Sequence, residues 1–264
     1  SPRSLAVLPF RNLRQETSPD FLGFALADAV VTKLGYVGSL TVRPSSYVDK
    51  YRAQEIDPKR VAVDLNINTL VTGTYIREGD ELRITTQLVD ALTNETLKKE
   101  TLELKYENLM TVQERITQQV IRGLHLTPSS IESERLKRDA TQNLLAYEYY
   151  LRGVEMYATN RLPQAIELLE KSLVQDANYA LAWSRLGAAY TAKASTNLGE
   201  REDYVKAREA YQKALTLNPE QNEARVSMAT FLTDTNRVEE AVPLLREVLK
   251  NNPSLAPARW ELSQ

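Results

Sequence analysis

In the first quarter of the chain, short continuous apolar runs alternate with stretches in which apolar residues recur at helical spacing. Ser4–Phe10 is a continuous apolar run followed by polar residues, which is typical of a strand buried on both faces. Asp20–Leu34 carries apolar residues at helical spacing, and Leu40–Arg43 is a second short strand. A further helix is predicted to begin at Pro58, since proline fits the first turn of a helix. The order strand, helix, strand, helix favours a parallel strand pair with helices packed on it.

From residue 69 the apolar pattern has a period of two, which indicates antiparallel strands. Apolar and polar side chains alternate along Glu81–Ala91, and a Gly-Asp turn joins this strand to Thr69–Arg77. Another turn leads into Thr96–Tyr106, after which helical spacing returns over 109–124. Residues 1–125 are therefore predicted to form an α/β domain of order β-α-β-α-β-β-β-α with a five-stranded mixed sheet.

Beyond a charged segment, the chain has helical periodicity to its end. Residues 126–143 are predicted to form a linker that is helical in part, because they are rich in charge and in helix formers. Landmark residues then recur at a fixed period: Gly153 and Gly187 lie 34 residues apart, as do Ala207 and Ala241. Such a period indicates helical pairs that stack into a solenoid.

The stretch from Trp183 to Tyr190 identifies the repeat. It reads Trp-Ser-Arg-Leu-Gly-Ala-Ala-Tyr and matches the W-x₂-L-G-x₂-Y signature of a tetratricopeptide (TPR) helix, and Tyr211 and Pro219 follow where the second helix requires them. Glycine lets the two helices approach closely, and proline ends the second one. This repeat carries about eight residues more than the usual period of 34, which predicts a loop at Ser195–Gly199.

The register of these landmarks makes residues 144–264 a TPR domain. It predicts three repeats, 146–179, 180–221 and 222–255, and a truncated fourth. Each repeat of a solenoid buries its apolar face on the next, so the cut end, which includes Trp260, is expected to permit self-association. The predicted fold class is an α/β domain followed by an all-α TPR solenoid.

The N-terminal domain also resembles a known family. An ordered series of short motifs is similar to the TolB-N-terminal-like (FlgO-like) domain that precedes TPR arrays in bacterial signalling proteins. The motifs are Leu5–Phe10, Phe24–Ala29, Val42–Ser46, Leu70–Tyr75 and Gly79–Ala91. In such proteins the module commonly follows a receptor-type Ser/Thr protein kinase, a winged-helix DNA-binding or a nucleotide-cyclase domain, usually beyond a single membrane span. The resemblance implies an extracytoplasmic, periplasmic sensor or interaction region of a membrane-anchored protein, with a cytoplasmic location as the alternative, and it carries over no catalytic residue.

Composition and missing motifs restrict the chemistry. Hydrophobic residues make up 42% of the chain, which allows a sizeable core, and the net charge of −2 gives no case for nucleic acid or an acidic membrane as partner. The absence of cysteine excludes disulfides, zinc-thiolate sites and thiol catalysis, and the sole histidine, His125, has no second one with which to hold a metal. No phosphate-binding loop, serine-hydrolase elbow or kinase motif is present, so no enzyme, cofactor or metal is predicted.

No apolar run approaches the roughly 20 residues of a membrane span, so direct membrane insertion is not expected. The chain, which begins without methionine and ends within a repeat, is interpreted as a piece of a longer protein.

Two candidate sites follow. In TPR folds the first helix of each repeat lines a concave groove that receives a peptide, and eleven residues have that register. They are Tyr147, Tyr150, Val154, Tyr157, Leu181, Ser184, Ala188, Thr191, Val226, Thr230 and Thr233. The alternative is that some of these tyrosines simply pack against the α/β domain. The second site is a possible anion site where polar residues follow the first two strands, at the sheet edge that binds ligands in open α/β folds. Its members are Asn12, Arg43, Ser45 and Ser46, and the alternative is a helix cap with a surface arginine.

The leading hypothesis is a non-catalytic sensor or scaffold region of a bacterial membrane-anchored signalling protein that binds a protein or peptide through the TPR groove. The second is a small anionic ligand at the strand ends of the α/β domain, with the TPR helices as a relay. A kinase, DNA-binding or cyclase domain of the full-length protein would lie outside this sequence.

Overall fold

The computed structural model describes residues 3–14, 21–52, 56–137, 141–196, 199–251 and 258. The chain divides into two compact units, Ser1–Leu136 and Lys137–Gln264. The strands are β1 Arg3–Val7, β2 Arg11–Asn12, β3 Leu40–Val42, β4 Thr69–Glu78, β5 Glu81–Asp90 and β6 Glu95–Lys105. The helices are α1 Leu22–Leu34, α2 Pro58–Leu65, α3 Met110–Gly123, α4 Ser130–Lys137, α5 Leu144–Ala158, α6 Leu162–Gln175, α7 Ala180–Ala194, α8 Arg201–Leu217, α9 Asn222–Asp234 and α10 Val238–Asn251.

The first unit is built on a mixed sheet with the strand order β3-β1-β4-β5-β6. β1 is parallel to both β3 and β4, and β4, β5 and β6 form an antiparallel meander. This confirms the predicted fold class. The structure adds a sixth, two-residue strand, β2, which pairs with β4 in the polar segment that follows the first apolar run. Backbone hydrogen bonds continue past this strand, with Leu13 N–H donating to Tyr75 O at 2.9 Å. Because its residues are polar, no apolar pattern marks β2 in the sequence.

The two faces of the sheet are covered differently. Helices α1 and α3 pack on one face, where Leu82, Ile84 and Leu88 of β5 are at most 1% exposed, in agreement with the predicted alternation. On the other face, α2 covers only one end, where Val61 and Leu65 of α2 join Leu70 and neighbouring apolar residues in a small core cluster. The rest of that second face carries partly exposed polar side chains.

One close backbone approach joins α1 to the end of the first strand segment. Phe10 N–H donates to Gly23 O at 3.0 Å. A Cβ atom added at Gly23 would lie 2.1 Å from Phe10 O, far inside van der Waals contact. Only glycine therefore fits at this point of α1.

Helix α4 lies in the segment predicted as a partly helical linker, and it is tied to the first unit. The Glu132 carboxylate accepts hydrogen bonds from Gly38 N–H at 2.6 Å and from Ser129 N–H at 2.7 Å. The buried Lys33 ammonium donates to Leu136 O at 2.9 Å. These bonds satisfy polar groups at both ends of a helix that has no buried residue of its own.

The second unit consists of helices that pack in consecutive pairs, α5 with α6, α7 with α8 and α9 with α10. The glycines of the repeat pattern lie where the helices of a pair meet. A Cβ atom at Gly153 would lie 2.8 Å from the Leu169 side chain, and one at Gly187 would lie 2.7 Å from the Tyr211 ring. The predicted truncated fourth repeat, including Trp260, lies outside the described residues, apart from Ala258, which is buried.

In the second repeat, a buried carboxylate links the end of α7 to the start of α8. Asp203 accepts from both the Lys193 ammonium, at 2.9 and 3.0 Å, and Glu200 N–H, at 2.9 Å. Its side chain is 4% exposed. Burial alone would raise the pKa of Asp203, but the hydrogen bonds from Glu200 and Lys193 outweigh it and hold that pKa below its ordinary value.

We expect Asp203→Asn to destabilise the second unit by about 2 kcal/mol near neutral pH, because it leaves the Lys193 charge without its partner. A carboxylate with a lowered folded pKa contributes stability above its unfolded pKa and loses it as pH falls through the folded value. The difference between wild type and variant should therefore shrink below about pH 4. Urea unfolding at several pH values measures it. Glu202→Gln removes an exposed partner of Lys206 instead and should change little, so equal effects of the two variants would contradict the assignment.

Candidate functional site

The predicted groove residues lie on α5, α7 and α9, the first helix of each helical pair. Side-chain hydrogen bonds mark the N-terminal ends of two of these helices. Asn143 caps α5 by accepting from Ala146 N–H at 3.0 Å, and the indole N–H of Trp183 donates to Ala177 O at 2.8 Å before α7. The helices are packed in turn, α5 touching α7 and α7 touching α9, so the predicted positions of neighbouring repeats follow one another along one surface.

The structure buries five of the eleven predicted groove residues. Tyr147, Tyr150 and Val154 are each 1% exposed, and Leu181 and Ser184 are 4% and 1% exposed. The Tyr150 ring packs on Tyr179 with ring centroids 5.0 Å apart. These five side chains therefore have almost no surface to offer a ligand.

The remaining six residues are partly exposed, and we refer to them as the open groove. They are Tyr157, Ala188, Thr191, Val226, Thr230 and Thr233. The threonine hydroxyls are already bonded within their own helices: Thr191 to Gly187 O at 2.9 Å, Thr230 to Val226 O at 3.2 Å and Thr233 to Ala229 O at 3.1 Å. The groups left to meet a ligand are therefore mainly methyl groups and the Tyr157 ring.

One ion pair, missed at the sequence level, joins two helices of the groove. Arg185 Nη2 of α7 lies 2.7 Å from Glu223 Oε1 of α9, with the two side chains 12% and 26% exposed. The Arg185 guanidinium also lies 5.6 Å from the centre of the Tyr157 ring. The pair spans two helices of neighbouring repeats, so no i, i+4 spacing could have revealed it. The two charges of this pair offset each other, and the six residues of the open groove are themselves uncharged.

Tyr211 supports the floor of this surface. Burial raises its pKa, so the phenol stays neutral, and its hydroxyl lies 3.3 Å from Thr191 Oγ1. Its ring is 1% exposed and faces Gly187 and Phe231. Tyr211 therefore positions α7 through its contacts with Gly187 and Thr191.

The residues of the predicted anion site have other uses in the structure. Arg43 donates from Nε to Leu65 O at 2.6 Å and from Nη2 to Asn66 O at 2.9 Å, which caps the end of α2. The Asn12 carboxamide oxygen accepts from Arg14 N–H at 2.9 Å. Ser46 is exposed and Ser45 is buried. The guanidinium that would have attracted the anion is thus already bonded to backbone carbonyls at the end of α2.

Within the described ranges, no group of three or more His, Asp or Glu side chains is placed to hold a metal ion. No helix within these ranges is both long and apolar enough to span a bilayer. His125 lies exposed just after α3, in the left-handed backbone region with φ of 49°.

The paired helices are of the kind that the repeat pattern predicts, and comparison with known families agrees for part of them. The family model of the tetratricopeptide repeat matches residues 200–263, which confirms this part of the sequence-based assignment. The family model described as the second domain of HilA/YgeH-like transcriptional regulators matches residues 1–119. TPR repeats generally mediate protein–protein binding, so the second unit is an interaction scaffold.

Among curated proteins, the chain is similar to a putative adenylate cyclase 3 of Rhizobium meliloti (strain 1021). The two are 26% identical over 152 residues, which make up 57% of this chain and 26% of the cyclase. The chain thus spans about a quarter of the length of this relative. A transcriptional regulator and a cyclase are both among the classes that the N-terminal resemblance named.

Similar solved structures include TolB from Acinetobacter baumannii and a lipoprotein from Neisseria meningitidis. The TolB match has 18% identity and a TM-score of 0.37 and covers 50% of this chain and 30% of TolB. The lipoprotein match has 16% identity and a TM-score of 0.34 and covers 47% of this chain and 99% of the lipoprotein.

Proposed function

We propose that this chain is the non-catalytic interaction region of a bacterial signalling protein, and that it binds a protein or peptide segment through the open groove. The observation that carries the proposal is the row of partly exposed side chains along α5, α7 and α9, whose hydroxyls are already bonded. An extended or helical segment with apolar side chains suits such a surface.

The finer part of the proposal concerns the whole protein. The resemblance of the N-terminal unit, together with the cyclase and regulator matches, supports an output domain outside this sequence. We propose that this region lies on the far side of a membrane span from that domain and senses the presence of its partner there. The location is tested by fusing this region of the full-length protein to a reporter enzyme that is active only in the periplasm and, in parallel, to one that is active only in the cytoplasm. Activity of the cytoplasmic reporter alone would reject the periplasmic assignment.

Groove binding makes a prediction about affinity. Tyr157→Ala should weaken binding of the partner by about 1 kcal/mol or more if this ring is a hot spot, since it is the largest group of the open groove. Tyr150 is unsuitable for the test because it is buried. Affinity should change little between low and moderate salt, because the six residues of the open groove are uncharged and Arg185 beside them is paired with Glu223.

The matched control is Val205→Ala. Val205 is an apolar residue of α8 that is 53% exposed and lies outside the groove set. Calorimetric titration of the two variants and wild type at two salt concentrations gives the comparison. An equal loss in both variants, or a steep fall of affinity with salt, would contradict groove binding.

A further inference from the structure

The uncovered part of the sheet in the first unit forms a concave surface of its own. Helices α1 and α3 cover the opposite face, and α2 covers only one end of this one. Beside α2 lies an open cavity of about 380 Å³, bounded by β4, β5 and the residues around Pro58. This volume lies within the range of small-molecule sites. It is separate from Arg43, which does not line it.

The floor of the cavity is made of polar side chains on neighbouring strands. The strand register places Arg11 beside Thr74, Thr74 beside Thr85, and Thr72 beside Gln87. All four residues of β4 and β5 are partly exposed, whereas Tyr75 and Thr86 between them are 3% and 1% exposed on the helix-covered face. The floor therefore presents hydroxyl and carboxamide groups at fixed spacing on a rigid sheet.

Among the described residues, the charged groups that line the cavity are of one sign. Arg11 and Arg52 line it, and the described lining residues include no carboxylate. Arg52 is held in place, with its guanidinium 4.2 Å from the centre of the Phe24 ring and Nε bonded to Asp49, which offsets part of its charge. Arg11 is exposed and forms no ion pair with any residue in the described ranges. The opposite wall is apolar and includes Ile56 and Pro58.

We propose that this cavity binds a small organic oxyanion, a carboxylate or a phosphate ester. Arg11 would pair with the anionic group, since a guanidinium offers the two parallel N–H donors that carboxylate and phosphate oxygens accept. The hydroxyls of Thr72 and Thr74 and the Gln87 carboxamide would bond the polar groups of the ligand. The apolar wall would cover its carbon skeleton. The α/β unit thus has a ligand site that is independent of the TPR groove.

The test is a calorimetric and NMR titration of the whole chain with two probes, succinate for the carboxylate class and glycerol 3-phosphate for the phosphate class. Their neutral counterparts, succinamide and glycerol, are titrated alongside. We expect one anionic probe to bind with shifts at the Gln87 side-chain amide and no comparable binding of its neutral counterpart. Arg11→Gln should weaken that binding at least about fivefold, and Thr74→Val should weaken it less.

The matched control is Arg14→Gln. Arg14 is an exposed arginine of the same segment, but its guanidinium is paired with Glu78 at 2.7 Å. Binding that survives Arg14→Gln and falls in Arg11→Gln supports the site, and the probe that binds identifies the class. No binding of either probe at millimolar concentration would overturn the proposal. Equal losses in both arginine variants would also overturn it, since they would indicate attraction by overall charge alone.

Discussion

Gly23→Ala is expected to destabilise the first unit by about 3 kcal/mol or more. This loss lies at the upper end of the range for substitutions that add a methyl group at a packed position. The added Cβ would meet the Phe10 carbonyl oxygen at 2.1 Å, and backbone cannot move aside as a flexible side chain can. The strand segment and α1 would have to separate, which breaks the hydrogen bond from Phe10 N–H to Gly23 O. Denaturant unfolding of the whole chain, combined with hydrogen exchange at the Phe10 amide, measures the loss.

Gly35→Ala is the matched control for this variant. Gly35 has φ of −60°, and its added Cβ would lie 3.2 Å from Thr32 O, so alanine fits with a small adjustment. We expect a change within about 1 kcal/mol of wild type. If the two alanine variants were equally stable, the close approach at Gly23 would be wrong.

Tyr211→Ala is expected to cost the second unit about 3 to 5 kcal/mol, as for other large buried rings. The Tyr211 ring fills the space over Gly187 and is 1% exposed, so its removal leaves a cavity where α7 and α8 meet. Urea unfolding followed by far-ultraviolet circular dichroism measures the loss of the helical unit. Gly187→Ala should weaken the same contact from the other side, because its Cβ would overlap the ring.

Tyr204→Ala provides the comparison on the same helix. Tyr204 also faces Phe231, with ring centroids 6.2 Å apart, but it is only partly buried. Its replacement should cost clearly less than that of Tyr211. Equal costs would show that the repeat is not held together at the contact between Gly187 and Tyr211.

The sequence was sufficient to predict the repeated part of the fold. Gly187 and Tyr211 recur within a fixed pattern, and their contact follows from it because each repeat packs in the same way. The strand alternation around Leu82 and Ile84 was equally readable, since one face of β5 is buried and the other is not. Local periodicity predicts burial well when only one face of a helix or strand packs against the rest of the fold.

Contacts between residues distant in the chain were not predictable in this way. Three contacts depend on how whole helices and strands are placed. They are the close approach of Gly23 to Phe10, the capping of α2 by Arg43 and the ion pair between Arg185 and Glu223. The burial of Tyr150 has the same origin, because the TPR register predicts which helix face a residue occupies but not how closely the next helix packs on it. The open groove is consequently smaller than the predicted one.

The central claim is that a partner segment lies in the open groove, and site-specific photo-crosslinking tests it most directly. A photoreactive amino acid is placed in the full-length protein at Ala188 of the groove or, as control, at Gln212, an exposed residue of α8 outside it. The crosslinked peptides are then identified by mass spectrometry in the native cells. The account predicts one recurring segment attached at Ala188 and absent at Gln212. The same segment at both positions, or attachment at Gln212 alone, would contradict it.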